Sequence, residues 1–400
     1  MLQWNLIDET QPDGVAAATN ASLHSACPPS ALPARIDVSN GAFGIDWSAR
    51  WTGKALGMPC LTIDTGAIAT TILPYRGLGL WKCRAGGIAL GWQSPVTGPV
   101  HPSLVPIGDP TGIGWLEGFD ELLVRCGLLS NGAPEFEPHG AVRYPVHGRI
   151  ANLPAHALRI EIDPDAGTLD VIGRVRESRF LVYALELESR IRFHAGRSLI
   201  EITDTVTNVT STPGSMQMLY HINLGQPLLQ SGSRIEAPLE IVAPRDPRAA
   251  EGIDDWDRCR GPEPGYREQV YFGKPLADDK HWSTAMLTNA DGSLGYSVHF
   301  DTRTLPAVTF WKNTAAVEDG YVVGLEPATG YPNARSFEEQ QHRVVRLQGG
   351  ESRCLRLKLE PHLDRESVKA ASNRIRALQS QAVQVERAPK AGWSASATGS

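Results

Sequence analysis

The sequence has no C-x-x-C pair and no other cysteine spacing suited to a metal. Its six cysteines, Cys27, Cys60, Cys83, Cys126, Cys259 and Cys354, are scattered singly through 400 residues. That argues against zinc ribbons and thioredoxin-like redox pairs, and the cysteines read as reduced, mostly packed thiols. Basic runs interleaved with aromatics are missing too, and the formal net charge is −6. Neutralising nucleic-acid phosphates needs such runs, so no nucleic-acid partner is expected. No segment approaches an uninterrupted apolar run long enough to span a bilayer, and the opening MLQWNLIDETQPDG lacks the basic start and apolar stretch of a secretion signal. The expectation is a soluble, cytoplasmic protein with no membrane partner. No internal period is visible, which argues against solenoids and propellers.

What is present is a turn-rich globular composition: 42% hydrophobic and 20% charged residues, with 39 glycines and 29 prolines. Large β-sandwiches and barrels run long as single units, so 400 residues do not force two domains. Residues 1–34 read as a loosely ordered lead-in, 35–362 as one strand-rich domain, and 363–400 as a C-terminal helix and flexible tail. The clearest pattern lies between His156 and Pro213, where ALRIEIDP, TLDVIGRVRES, YALELESRIRFHAG and SLIEITDTVTNVT alternate apolar with polar residues. Such alternation predicts an antiparallel meander with one wet face, and in YALELESRIRF it outweighs the helix preference of Leu and Glu. STAMLTNADGSLGYSVHF predicts a hairpin. RESVKAASNRIRALQSQAVQV has helical periodicity. The stretches 92–145 and 231–282 are too rich in Pro, Gly or charge for regular structure. The first is expected to hold one short helix around WLEGFDELLVRCG and to form a pocket wall, with Trp115 and Phe119 facing a ligand ring or pinning the loop to the core. The second reads as a solvated excursion.

Two stretches carry chemistry. MQMLYHINLG (216–225) sets one ionisable histidine, His221, in an apolar strand, with Asn223 close behind. GLEPATGYPN places Glu326 after the apolar run YVVGL, and glutamate is seldom buried without a partner. With ordinary pKa values of about 6.5 and 4.3, one can donate a proton near neutral pH while the other accepts one. The blander alternatives are a hydrogen-bonded core histidine and a glutamate bridged to an arginine. PYRGLGL puts Arg76 beside Gly77 and Gly79, which allow close backbone approach to a ligand; Arg76 serves either a sugar hydroxyl or a core-edge carboxylate. VHGRIANLPA offers His147, which is otherwise a turn histidine. Trp311 and Lys312 suit ring stacking and hydroxyl bonding, with core packing and solvent exposure as their defaults. His221, His147 and Glu326 also make up the donor set of a metal-binding facial triad, but no H-x-H or H-E-x-x-H spacing supports it.

Taken in order, PYRG, a later HG, LYHINLG after ITDTVTN, and GLEP followed by YPN resemble the aldose 1-epimerase (galactose mutarotase-like) superfamily, in its divergent branch, over roughly residues 35–362. The resemblance implies an all-β fold, a large antiparallel β-sandwich (the galactose mutarotase-like supersandwich) with few short helices and a sugar cleft across one sheet. It implies that His221 protonates the ring oxygen and Glu326 removes the anomeric hydroxyl proton, with His147 and Arg76 holding a small-molecule sugar. Asn223, Trp311 and Lys312 complete the expected substrate contacts, and no cofactor is needed. Two departures bear on the sugar preference: better-known mutarotases carry Y-F-N-L after the histidine where this chain has I-N-L, and Tyr75–Arg76 replaces an N-R pair. The expected activity is interconversion of the α and β anomers of a free aldose. The alternatives are a non-catalytic carbohydrate-binding or regulatory protein, or another sugar isomerase or lyase reaction.

Overall fold

A computed structural model describes residues 1–10 and 32–398. Where the sequence alternates, the chain is extended. Ala157–Asp163, Thr168–Arg179, Tyr183–His194 and Ile200–Asn208 pair in succession as antiparallel neighbours. Burial alternates residue by residue along the last two, so YALELESRIRF turns its leucines to the core and its glutamates outward. These strands belong to a nine-stranded sheet, which also contains the expected hairpin of Trp282–Thr288 with Gly295–Asp301.

A second, fourteen-stranded sheet packs against the first across one core, where Tyr220, Ile222, Phe310 and Leu325 meet Ile160, Val171, Ile191, Ile202 and Leu357. A buried polar network crosses the same interface. Arg125 donates to Asp204 at 2.6 Å and to Ser189 at 2.8 Å, and the Tyr220 hydroxyl donates to Asp204 at 2.9 Å. Helices are few among the described residues: Pro247–Ala250, Arg335–Gln340 and Arg365–Leu378, the last capped where Asp364 accepts from the Ser367 N–H. The fold is the predicted all-β sandwich. No helix among the described residues is long and apolar enough to cross a membrane.

Four local expectations are corrected. Around WLEGFDELLVRCG only Gly114–Gly118 turns, as a 3-10 helix, and Leu123–Leu128 is a strand with every residue buried. A strand covered on both faces has no alternation to read. The supposed excursion 231–282 contributes strands Arg234–Glu236, Leu239–Pro244 and Gln269–Pro275. Of the supposed lead-in, Leu2–Asp8 is an edge strand paired with Ala157–Asp163, anchored by the buried Leu6, while 11–31 lie outside the described residues. The supposed flexible tail is docked. Gln384–Val385 pairs in parallel with Leu239–Pro244, and Trp393 packs on Tyr331 with 4.9 Å between ring centroids. Residues 399 and 400 lie outside the described set.

Candidate functional site

In the fourteen-stranded sheet, Gly214–Leu224 runs between Leu123–Leu128 and Val322–Ala328, and Ala307–Asn313 follows. Its register places Ile222 opposite Leu325 and Asn223 opposite Gly324, which brings His221 opposite Glu326. Val124 lies opposite His221, and Thr309 opposite Glu326. Strand alternation sends Tyr220, Ile222, Leu325 and Phe310 into the core, so His221, Glu326 and Thr309 share the face turned away from the other sheet.

That face is roofed rather than wet. Trp115, Phe119, Trp92 and Val146 from the 92–152 region form an apolar cluster with Val124, Leu219, Ala328 and Trp311. Beneath it His221 is 4% exposed and Glu326 2%. His221 Nε2 lies 3.2 Å from Glu326 Oε1, close enough for proton exchange but not aligned as a hydrogen bond. The His221 ring also meets Phe119 and Trp311 edge-on, each at 5.2 Å, and His147 at 5.5 Å. His147 adopts a left-handed backbone, φ 57°, a conformation costing about 1–3 kcal/mol in a non-glycine residue. Its loop holds it there: the His147 N–H donates to the Gly132 carbonyl, and Nδ1 sits 3.1 Å from the Asn131 carbonyl.

Burial sets the charge state. Desolvation holds the His221 imidazole well below its ordinary pKa, neighbouring His147 adds to this, and the Asn223 side chain opposes it in part. Desolvation pushes the Glu326 carboxyl well above the usual range, and the charge of Glu268 adds to that. His147 is likewise lowered by burial. Both shifts favour the neutral forms of the two side chains.

Of the residues singled out in the sequence, His221, Glu326, His147, Trp311 and Asn223 come together. Asn223 is fully buried and donates to the Glu121 carbonyl at 2.9 Å, one residue-length along the strand face from His221. Trp311 donates from Nε1 to Glu268 at 2.6 Å. Arg76 does not present its guanidinium to the site. It is 1% exposed, and it donates to the Glu121 carboxylate at 2.7 Å, to the Gly118 carbonyl at 2.7 Å and to Asn152. A buried arginine's partner 45 residues away leaves no mark in the local sequence. Nor does Gly77 make room for a ligand: a Cβ there would come within 2.4 Å of the Ile150 carbonyl. Lys312 neighbours Trp311 and therefore projects to the opposite face, where it donates to the Asp255 carbonyl at 2.7 Å and is 4% exposed.

Sequence reading missed Thr309, Trp92, Glu268 and Arg245. Thr309 was findable as the residue two before Trp311, on the same strand face. Glu268, bound to Arg245 at 2.9 Å, was hidden in the supposed excursion. Around the pair, several buried polar atoms have no hydrogen-bond partner: His221 Nδ1, Glu326 Oε1, Asn223 Oδ1, Thr309 Oγ1, Trp115 Nε1 and the Asn131 side chain. Each such group costs about 1–3 kcal/mol when left unsatisfied. Among the described residues, no three His, Cys, Asp or Glu side chains are grouped to hold a metal ion. A cavity of about 440 Å3 near Arg234, Asn289 and Arg376 lies away from this pair.

Residues 55–360 match the model of a family described as a domain of unknown function, DUF4432. No curated protein matches the chain. Among solved structures, a protein from Klebsiella pneumoniae subsp. pneumoniae MGH 78578 proposed to be an aldose 1-epimerase is 32% identical, over 98% of this chain and 99% of that one, with a TM-score of 0.89. A galactose mutarotase-like protein from Clostridium acetobutylicum aligns at 13% identity over 80% of this chain and 98% of its own, with a TM-score of 0.54. The galactose 1-epimerase of Lactobacillus acidophilus NCFM aligns at 10% identity over 80% and 99%, with a TM-score of 0.52. The last two likenesses concern the fold alone. The chain thus belongs to the DUF4432 family and, as its motifs and fold agree, to the galactose mutarotase-like superfamily.

Proposed function

We propose that the protein is an aldose 1-epimerase-like enzyme that interconverts the α and β anomers of a free sugar, with His221 and Glu326 as its proton-handling pair. The observation that carries this reading is a desolvated pair 3.2 Å apart, ringed by unpartnered polar atoms suited to a hydroxyl-rich ligand. In the reaction, one member of the pair takes the proton from the C1 hydroxyl while the other gives a proton to the ring oxygen, and the bond from C1 to that oxygen breaks. Rotation about C1–C2 exposes the other face of the aldehyde, and reclosure reverses both transfers. Atoms balance and the pair returns to its starting state. General acid and general base contributions of about 10²–10⁴-fold each suffice, so the proposal invokes no cofactor.

The resemblance gives His221 the ring oxygen and Glu326 the anomeric proton. Burial favours the neutral form of each side chain in the unliganded site, so those roles follow ionisation of the pair as sugar hydroxyls solvate it. Trp311, Phe119 and His147 provide the walls against which the ring packs. Arg76 acts at one remove: it fixes Glu121, whose carbonyl holds Asn223 beside His221. The proposal includes a cytoplasmic setting, in keeping with the four buried thiols Cys60, Cys83, Cys126 and Cys259.

The test is decay of optical rotation, or saturation transfer between anomeric protons, across a panel of freshly dissolved aldoses including pentoses and deoxysugars. Wild type is expected to accelerate at least one sugar, and His221→Ala and Glu326→Ala each to abolish that acceleration. Binding without acceleration of any sugar would favour a carbohydrate-binding protein, and a changed chemical composition would favour another isomerase or lyase reaction.

A further inference from the structure

The 129–131 segment that holds His147 also lines something else. Together with the 143–149 stretch and the hairpin of Thr168–Arg179 and Tyr183–His194, it borders a cavity of about 230 Å3, whose lining includes Arg143, Arg149, Arg179, Tyr144 and the carboxylates Glu137 and Glu177. Three guanidiniums thus share one small space. Arg143 is loosely paired, 3.5 Å from Glu135 and 3.6 Å from Glu137. Among the described residues neither Arg149 nor Arg179 has a carboxylate oxygen within 4.0 Å. Glu177, 3% exposed, sits in the wall, but its oxygens are taken by the Leu128 N–H at 2.6 Å and the Tyr183 hydroxyl at 3.0 Å. Behind Tyr144 stands a fourth guanidinium. Arg335 is 6% exposed, lies 5.7 Å from the Tyr144 ring centroid and donates to the Leu129 carbonyl and the Ser215 hydroxyl, without an ion pair.

Like charges gathered around one cavity repel each other, and an anion between them reverses the sign of the interaction. Arginine is also the side chain whose planar fork best matches phosphate and carboxylate oxygens. The volume falls below the roughly 300–1,000 Å3 of pockets for drug-sized ligands, which suits a small ion. We propose that this cavity is a binding site for a small oxyanion, gripped by Arg149 and Arg179 with Arg143 at its side.

The site is separate from the sugar pair but mechanically joined to it. Arg149 donates its N–H to the Gly127 carbonyl at 2.8 Å, and His147, two residues earlier, hangs from the carbonyls of Asn131 and Gly132. An anion that draws in Arg149 therefore bears on the loop that positions His147, a consequence that rests on the reading of His147 as a sugar contact. The binding itself does not.

Inorganic phosphate is the probe, titrated calorimetrically and by phosphorus NMR line width, with chloride holding ionic strength constant. Wild type and His221→Ala are expected to bind it saturably and alike. The double variant Arg149→Gln/Arg179→Gln, with a thermal midpoint near wild type because neither arginine makes an ion pair, is expected to bind about tenfold more weakly or worse. Absence of saturable binding, equal binding by the double variant, or loss of binding in His221→Ala would each overturn the proposal. Phosphate binding retained while every sugar fails the rotation assay would sink the mutarotase reading alone.

Discussion

Burial moves His221 and Glu326 away from their ordinary titrations in opposite directions, and this fixes what a pH profile should look like. Protonation has to charge His221, which desolvation and His147 oppose, so that step falls below the ordinary histidine value of about 6.5. Deprotonation has to ionise Glu326, which desolvation opposes, so that step rises above the usual carboxylate value of about 4.3. The neutral pair occupies the window between, and the two steps belong to the pair rather than to either residue. Measured by polarimetry, kcat/KM is expected to be bell-shaped with its acid limb below pH ~6.5. An acid limb at or above that value would mean that burial does not lower the titration of His221. Both residues were legible because each is a lone ionisable group in an apolar run. Arg76 and Lys312 were less so: a cation's partner depends on which distant carboxylate or carbonyl folding brings to it, and on which strand face it falls.

Within the Val322–Ala328 strand, Gly324 lies on the same face as Glu326. A Cβ there would come 2.5 Å from Glu326 Oε1 and 3.2 Å from His221 Cε1. The carboxylate is the end of a side chain able to swing, so Gly324→Ala should fold with a thermal midpoint close to wild type. Its kcat should drop by about 10²-fold, the scale on which a displacement of about 1 Å acts on a positioned catalytic group. Unchanged kcat would show that the 3.2 Å separation is not needed. At this scale the half-wet strands were readable from alternation. Leu123–Leu128 and Gln269–Pro275 were not, because the second sheet face of each is covered and the apolar run loses its period.

Across the molecule, the C-terminal segment closes one side of the face that carries the pair. Trp393 packs on Tyr331, its carbonyl accepts from Asn333, and the Ser394 hydroxyl donates to the carbonyl of Arg245, which in turn holds Glu268 against Trp311. Trp393→Ala is expected to cost about 1–2 kcal/mol, less than a fully buried aromatic because the ring is half-exposed. A lowered urea midpoint would register the loss, and an unchanged midpoint would mean that the segment is not bound in solution. Sequence reading placed the helix before this segment but not its docking, since AGWSASATGS carries a single large apolar residue and no period.

The Gly214–Leu224 strand holds two registers of information at once. Tyr220 points inward to Asp204, bonding between the sheets, and His221 points outward to Glu326. Because successive side chains alternate, a shift by one residue would exchange them, leaving an imidazole in the core and a tyrosine in the site. Substitution can therefore explore this strand one position at a time, whereas a single-codon insertion or deletion strikes the fold and the chemistry together. Over evolutionary time its length should be far harder to change than its composition.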